Sequence, residues 1–112
     1  MKDVIVIGGG VTGAFIARNL SRYSLSVLVI EKEQDVGDVT SMANSAIVHS
    51  GYDPVPGTKK ARFNVEGNAM YDEICRDLDV EFDRCGSMTI ATTQEQLTHL
   101  KGLQERAKQN GV

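Results

Sequence analysis

Tryptophan is absent from this chain, and its aromatic side chains are three tyrosines and three phenylalanines. A surface that stacks nucleic-acid bases needs aromatic side chains interleaved with basic ones, so nucleic acid is not an expected partner. Positive charge is also short: twelve Lys and Arg stand against fifteen Asp and Glu, a net charge of −3. No apolar run approaches the roughly 20 residues of a membrane span. The N-terminus does not read as a signal peptide either, because the apolar run from Val4 to Ile7 passes directly into glycines. A cytoplasmic location is therefore expected. The two cysteines, Cys75 and Cys85, have a spacing that fits no zinc or redox pattern. They are expected to be reduced and partly buried, with no metal site. What remains is a chain of 112 residues, suited to one modest domain with a real core.

The apolar residues that are present have a clear order. Val4-Ile5-Val6-Ile7 is a continuous β-branched run, the pattern of a parallel strand covered on both faces. A helix is expected from Val11 to about Arg22, with Ile16, Leu20 and Tyr23 as its apolar stripe and Ala14 and Ala17 allowing close packing. Ser26 to Ile30 reads as a second strand. Strand, glycine turn, helix and strand within residues 4–30 make a βαβ unit. From Glu33 to Pro56 small and polar residues dominate, predicting loop with one short helix around Ser41 to Ala46. Thr58 is placed to cap a helix whose apolar face is Phe63, Gly67, Met70, Tyr71, Ile74 and Leu78. Val80 to Thr92 reads as one or two strands around a turn at Cys85-Gly86. Thr93 to Gln96 fits a capping box, followed by a helix with Leu97, Leu100, Leu103 and Ala107 inward and a stop at Asn110-Gly111.

The glycine turn carries the first chemistry. Gly8, Gly10 and Gly13 occupy the glycine positions of G-x-G-x-x-G, with Val11 and Thr12 between them. Gly8 permits the tight turn, Gly10 lets a pyrophosphate approach the backbone, and Gly13 lets the helix pack against the strand. The amides and the dipole of the helix start favour an anion there. The second strand ends in Glu31, where this fingerprint expects a carboxylate to accept hydrogen bonds from an adenosine ribose. That carboxylate would repel a 2′-phosphate, which argues against NADP. The unit reads as an adenine-dinucleotide site, and leaves NAD and FAD both open.

The stretches "VIVIGGGVTG", "VLVIEK", "TSMANSAIVHSGYDPVPGTKKAR" and "DRCGSMTIAT" together resemble the FAD-dependent oxidoreductases of the D-amino-acid-oxidase type. The branch containing glycerol-3-phosphate dehydrogenases and L-2-hydroxyglutarate dehydrogenases or oxidases is the nearest in pattern. The resemblance implies FAD as cofactor, with Thr40, Ser41, Asn44 and Ser45 running past its pyrophosphate and ribityl chain. It brings Val48 to Gly51 to the isoalloxazine, with His49 near the flavin edge. An imidazole there would tune the ring or take a proton as general base. Lys32, next to the ribose acid, reads either as lying against the adenosine or as a solvated strand end. His99 reads as a surface histidine, and the cluster Lys59, Lys60 and Arg62 as a solvated helix start.

The expected class is α/β: a Rossmann-like FAD/NAD(P)-binding βαβ unit, with residues 1–80 in the FAD domain and 81–112 opening an α+β substrate domain. The implied reaction is oxidation of a CH–OH carbon, with glycerol 3-phosphate the leading small-molecule substrate. The electron acceptor would be a quinone, a redox partner subunit or oxygen. L-2-Hydroxyglutarate and amino-acid oxidation are the rivals on the same scaffold. An NAD-dependent dehydrogenase and a non-catalytic dinucleotide-binding fragment are rivals of other classes. The pattern is that of the N-terminal part of a larger protein, so the isolated chain is expected to bind FAD weakly and to show no turnover.

Overall fold

The structure, a computed structural model, describes residues 1–112. Five elements follow in order: β1 (Val4–Ile7), α1 (Val11–Leu20), β2 (Val27–Ile30), α2 (Lys59–Leu78) and α3 (Gln94–Asn110). The chain divides into two compact units, Met1–Ile47 and Val48–Val112.

The first unit is the expected βαβ arrangement. β1 and β2 are parallel, with Val4 opposite Val27 and Ile7 opposite Ile30, and α1 makes the crossover that parallel neighbours require. The Asp3 carboxylate accepts the Ser26 N–H at 2.8 Å and so closes one end of the pair. At the other end the Gly8 N–H donates to the Ile30 carbonyl at 2.8 Å. Val6 is the one buried strand residue, beneath α1, while Ile5 and Ile7 on the alternate face are exposed. Cover on both faces was expected, and within this chain α1 supplies it on one.

α1 differs in detail from its expected form. It ends at Leu20, where the Ser21 hydroxyl donates to the Arg18 carbonyl at 2.8 Å and turns the chain out of the helix. Its covered stripe is Gly13, Ala17 and Leu20, whereas Ile16 and Tyr23 are exposed. Gly13 sets the line of closest approach to β1, and residues four and seven positions on share that line. Residues 41–46 form turns in place of the expected short helix. The Asn44 side chain explains this: it donates to the Ser41 carbonyl at 2.7 Å and accepts the Ala46 N–H at 2.8 Å, with Ala46 at φ +55°.

In the second unit the helix ends form as the sequence predicts. Thr58 Oγ1 accepts the Ala61 N–H at 3.2 Å. Thr93 and Gln96 complete a reciprocal capping box, and Gly111 closes α3 at φ +80°. Leu100, Leu103 and Ala107 are half-buried, as expected of the inner face of α3, whereas Leu97, expected with them, is exposed in the first turn. The face of α2 is the expected one in part. Gly67, Tyr71 and Ile74 are half-buried as expected, while Phe63, Met70 and Leu78 are exposed; Ala61 and Cys75 are buried and Val65 and Asn68 half-buried in addition. The loop around Gly51 lands on the Val65 and Asn68 side. The expected strands in Val80–Thr92 do not form. A strand exists through ladder bonds to a partner, and this segment is tied to α2 by a side chain, Arg84, instead. Cys75 is a buried and Cys85 an exposed free thiol.

Candidate functional site

The turn between β1 and α1 collects several predicted residues of the first unit. Gly8 sits at φ +105°, a left-handed backbone that a side chain would strain. A Cβ on Gly13 would overlap the Gly8 carbonyl oxygen, so the helix lies as close to the strand as backbone allows. The first intrahelical bond is from the Ala14 N–H to the Gly10 carbonyl at 2.9 Å. The amides of Val11, Thr12 and Gly13 lie ahead of it and have no acceptor in the helix. Gly10 is the N-cap residue and brings no side chain. Ser41 substitutes for one: its Oγ accepts the Val11 N–H at 2.9 Å, from 30 positions along the chain.

Glu31 is drawn into the same turn. Its Oε2 accepts the Gly9 N–H at 2.6 Å, and its Oε1 accepts the N–H groups of Lys32 at 2.7 Å and Glu33 at 3.0 Å. The backbone bond from Glu33, then those from Gly9 and Lys32, hold this carboxyl below the usual carboxylate range. A carboxylate offers about four acceptor positions and three are taken, so a ligand hydroxyl can still donate to it. The arrangement fits the ribose and pyrophosphate of an adenine dinucleotide: glycines where a Cβ would collide, helix-start amides, and a fixed anion at the end of β2.

Gly9 was not singled out by the motif, in which it is an unspecified position. Here its amide binds Glu31 and its carbonyl accepts the Gly37 N–H at 3.1 Å. Thr12, Thr40 and Ser45 are exposed. Asn44 holds its own loop, as described above. Lys32 turns to Glu33, with Nζ 3.0 Å from the carboxylate.

His49 and Gly51 belong to the second unit, on a loop pinned by side chains from both helices. Asn68 Nδ2 on α2 donates to the His49 carbonyl at 3.2 Å. Asn110 Nδ2 on α3 donates to the carbonyls of Gly51 at 2.9 Å and Pro54 at 3.0 Å. Arg106 Nη1 donates to the Asp53 carbonyl at 3.2 Å. Gly51 is buried at φ +99°, and a Cβ there would lie 2.8 Å from Val65 Cγ2. Gly51→Ala is expected to lower stability by about 3 kcal/mol, part from the left-handed backbone and part from the collision. Thermal denaturation checks this. Adding Val65→Ala should recover the collision part alone, and complete recovery would show that the backbone conformation costs nothing.

Sequence reasoning passed over Asn68 and Asn110. The available signal was an asparagine inside a helix, where this side chain is a poor fit unless it has a partner elsewhere. Of the basic cluster, Arg62 pairs with Glu66 at 2.7 Å and lies over the Phe63 ring, as a solvated helix face does.

Comparison with known proteins agrees with this geometry. The family profile described as "DAO: FAD dependent oxidoreductase" matches residues 3–112. The chain is 54% identical over 112 residues to a glycerol 3-phosphate dehydrogenase of Caloramator mitchellensis, covering all of this chain and 23% of that protein. It is 38% identical over 112 residues to a mitochondrial L-2-hydroxyglutarate dehydrogenase of Pongo abelii, covering 98% of this chain and 27% of that one. Among solved structures it resembles the dithionite-reduced L-alpha-glycerophosphate oxidase from Mycoplasma pneumoniae with FAD bound. That match has a TM-score of 0.86 and 30% identity over 99% of this chain and 29% of the other. The chain thus spans about a quarter of the length of the curated relatives it matches. A strand–glycine turn–helix–strand unit closed by a carboxylate, and a family match that omits only the first two residues, lead to one conclusion: the chain belongs to the DAO family of FAD-dependent oxidoreductases.

Proposed function

We propose that this chain is the N-terminal FAD-binding part of an oxidoreductase that oxidises a CH–OH substrate, most favourably glycerol 3-phosphate. The observation that carries the reading is the glycine turn with the Glu31 carboxylate hydrogen-bonded to its Gly9 amide. On this reading residues 1–80 belong to the FAD domain and 81–112 open the substrate domain. Gly8, Gly10 and Gly13 let the pyrophosphate reach the helix-start amides of Thr12 and Gly13, the Val11 amide being held by Ser41 Oγ. Glu31 accepts from the adenosine ribose, with Lys32 beside the adenosine. Thr40, Ser41, Asn44 and Ser45 offer hydroxyl, amide and backbone donors along the chain of the cofactor.

FAD, when bound, supplies a two-electron acceptor for the carbinol carbon. His49 takes the proton of the substrate hydroxyl on a ring nitrogen, and Gly51 lets the loop turn tightly behind it. A cytoplasmic protein that passes its electrons to a quinone, a redox partner subunit or oxygen fits this reading. No helix here is long and apolar enough to cross a membrane.

The identity to the glycerol 3-phosphate dehydrogenase, 54% against 38% for the L-2-hydroxyglutarate dehydrogenase, supports glycerol 3-phosphate over its rival. Anaerobic addition of each compound to the FAD-loaded whole oxidoreductase, of which this chain is the N-terminal part on this reading, is the test. Glycerol 3-phosphate should bleach the flavin absorbance and L-2-hydroxyglutarate should leave it. The reverse result would transfer the assignment to the hydroxy acid, and bleaching by neither would remove both.

A further inference from the structure

Asn68 spends its whole side chain away from its own helix. Its Nδ2 donates to the His49 carbonyl at 3.2 Å, and its Oδ1 accepts from Arg84 Nη1 at 2.9 Å. Its main-chain carbonyl also accepts from Arg84 Nη2, at 3.0 Å. Arg84 in turn grips Asp72: Nε lies 3.0 Å from Oδ1 and 2.9 Å from Oδ2, and Nη2 lies 2.5 Å from Oδ2. Its guanidinium also lies over the Phe82 ring, 5.2 Å from the centroid, and Phe82 meets Tyr71 of α2 at 5.5 Å.

The chemistry of the partners fixes which way the amide faces. A guanidinium only donates, so the atom turned to Arg84 is the amide oxygen. A main-chain carbonyl only accepts, so the atom turned to His49 is the amide nitrogen. Flipping the amide would break both bonds together. The segment after α2 is therefore linked through Arg84 and Asn68 to the backbone of His49, and that backbone is held again two residues later, where Asn110 grips the Gly51 carbonyl.

We propose that Asn68, oriented by Arg84, is a positioning residue that sets the backbone of His49 and thereby the place of its ring. Bonded at residue 49 and again at residue 51, the loop keeps little freedom to swing the imidazole, and small displacements of a reacting group are costly in rate. The proposal rests on the reading that His49 takes the proton of the substrate hydroxyl.

Asn68→Asp tests it, because a carboxylate keeps the acceptor for Arg84 and removes the donor to His49. In the FAD-loaded whole oxidoreductase this variant is expected to slow anaerobic flavin reduction by saturating glycerol 3-phosphate about tenfold. Arg84→Lys, which loses the fork but keeps the charge, should slow it about threefold. In a His49→Asn background each should have an effect of less than about twofold, because both act through the imidazole.

A second readout needs no turnover. The chain has two histidines, so the ring signals of His49 in a proton–carbon NMR spectrum can be assigned by their loss in His49→Asn. Asn68→Asp should move the His49 signals and leave those of His99 in place. Equal slowing in the His49→Asn background, or a His49 signal and a reduction rate both unchanged by Asn68→Asp, would overturn the positioning role alone. A His49→Asn variant that reduces flavin at the wild-type rate would instead overturn the reading of His49, and the positioning role with it.

Discussion

His49→Asn in the FAD-loaded whole oxidoreductase is expected to slow anaerobic flavin reduction by glycerol 3-phosphate on the order of 10²–10⁴-fold, the usual worth of a positioned general base. Asparagine has similar bulk and keeps a polar end, but it cannot take up a proton from an alcohol. The bond that anchors this residue is made by its main-chain carbonyl, to Asn68 Nδ2, so the loop keeps its anchor when the ring is exchanged. The Gly51 and Pro54 carbonyls remain bonded to Asn110. The loss should therefore fall on the rate at saturating substrate and leave the substrate concentration for half-saturation nearly unchanged, the pattern of a group that matters in the transition state. Stopped-flow measurement of the flavin absorbance follows it directly. Retention of the wild-type rate would mean that the proton leaves by another route.

Gly13→Ala should be the most damaging single-methyl change in the first unit. The added Cβ would overlap the Gly8 carbonyl oxygen, lie 3.0 Å from the Gly8 carbonyl carbon and lie 3.4 Å from Val6 Cγ1. The carbonyl has nowhere to go. Its residue is at φ +105° in the turn, and its amide is bonded to the Ile30 carbonyl at 2.8 Å. α1 must lift from β1, exposing Val6 and moving the helix-start amides away from the Ser41 hydroxyl. We expect a loss of about 3 kcal/mol. If that loss falls on the binding-competent turn, FAD affinity drops about 100-fold. Gly102→Ala is the matched control: it lies in α3 with nothing near its added Cβ, and should raise stability by about 0.5–1 kcal/mol. Melting temperatures and flavin content of the purified variants decide the matter. Equal behaviour of the two variants would show that the close approach at Gly13 has no cost.

Much of the local architecture was legible because it depends on neighbours along the chain. A threonine just ahead of a helical run can bond the amide three residues on, and a glutamine there can bond back, so Thr58 and the Thr93–Gln96 box formed as read. The βαβ order, the role of Gly13 in close packing and the acidic end of β2 followed from β-branched runs, glycine spacing and one carboxylate. Where the reading failed, the deciding partner was remote. Val80–Thr92 has strand-like residues, but a strand needs a second backbone, and here Arg84 binds α2 instead. The apolar periodicity of α2 marked Gly67, Tyr71 and Ile74, which are half-buried, and also Phe63, Met70 and Leu78, which are exposed, whereas Val65 and Asn68 are covered because the Gly51 loop packs there.

The sequence by itself determined that a dinucleotide-type turn follows β1, which helix ends are capped, and which family pattern the chain carries. Each of these is written in side chains a few positions apart, or in glycines whose missing Cβ is the whole signal. Only the tertiary structure decided that Ser41 caps α1 across 30 positions, that Glu31 is fixed by the Gly9 amide, and that Asn68 and Asn110 hold the His49 loop. Those contacts join residues far apart along the chain through single polar atoms. Their formation depends on where packing sets each backbone, which no local pattern encodes.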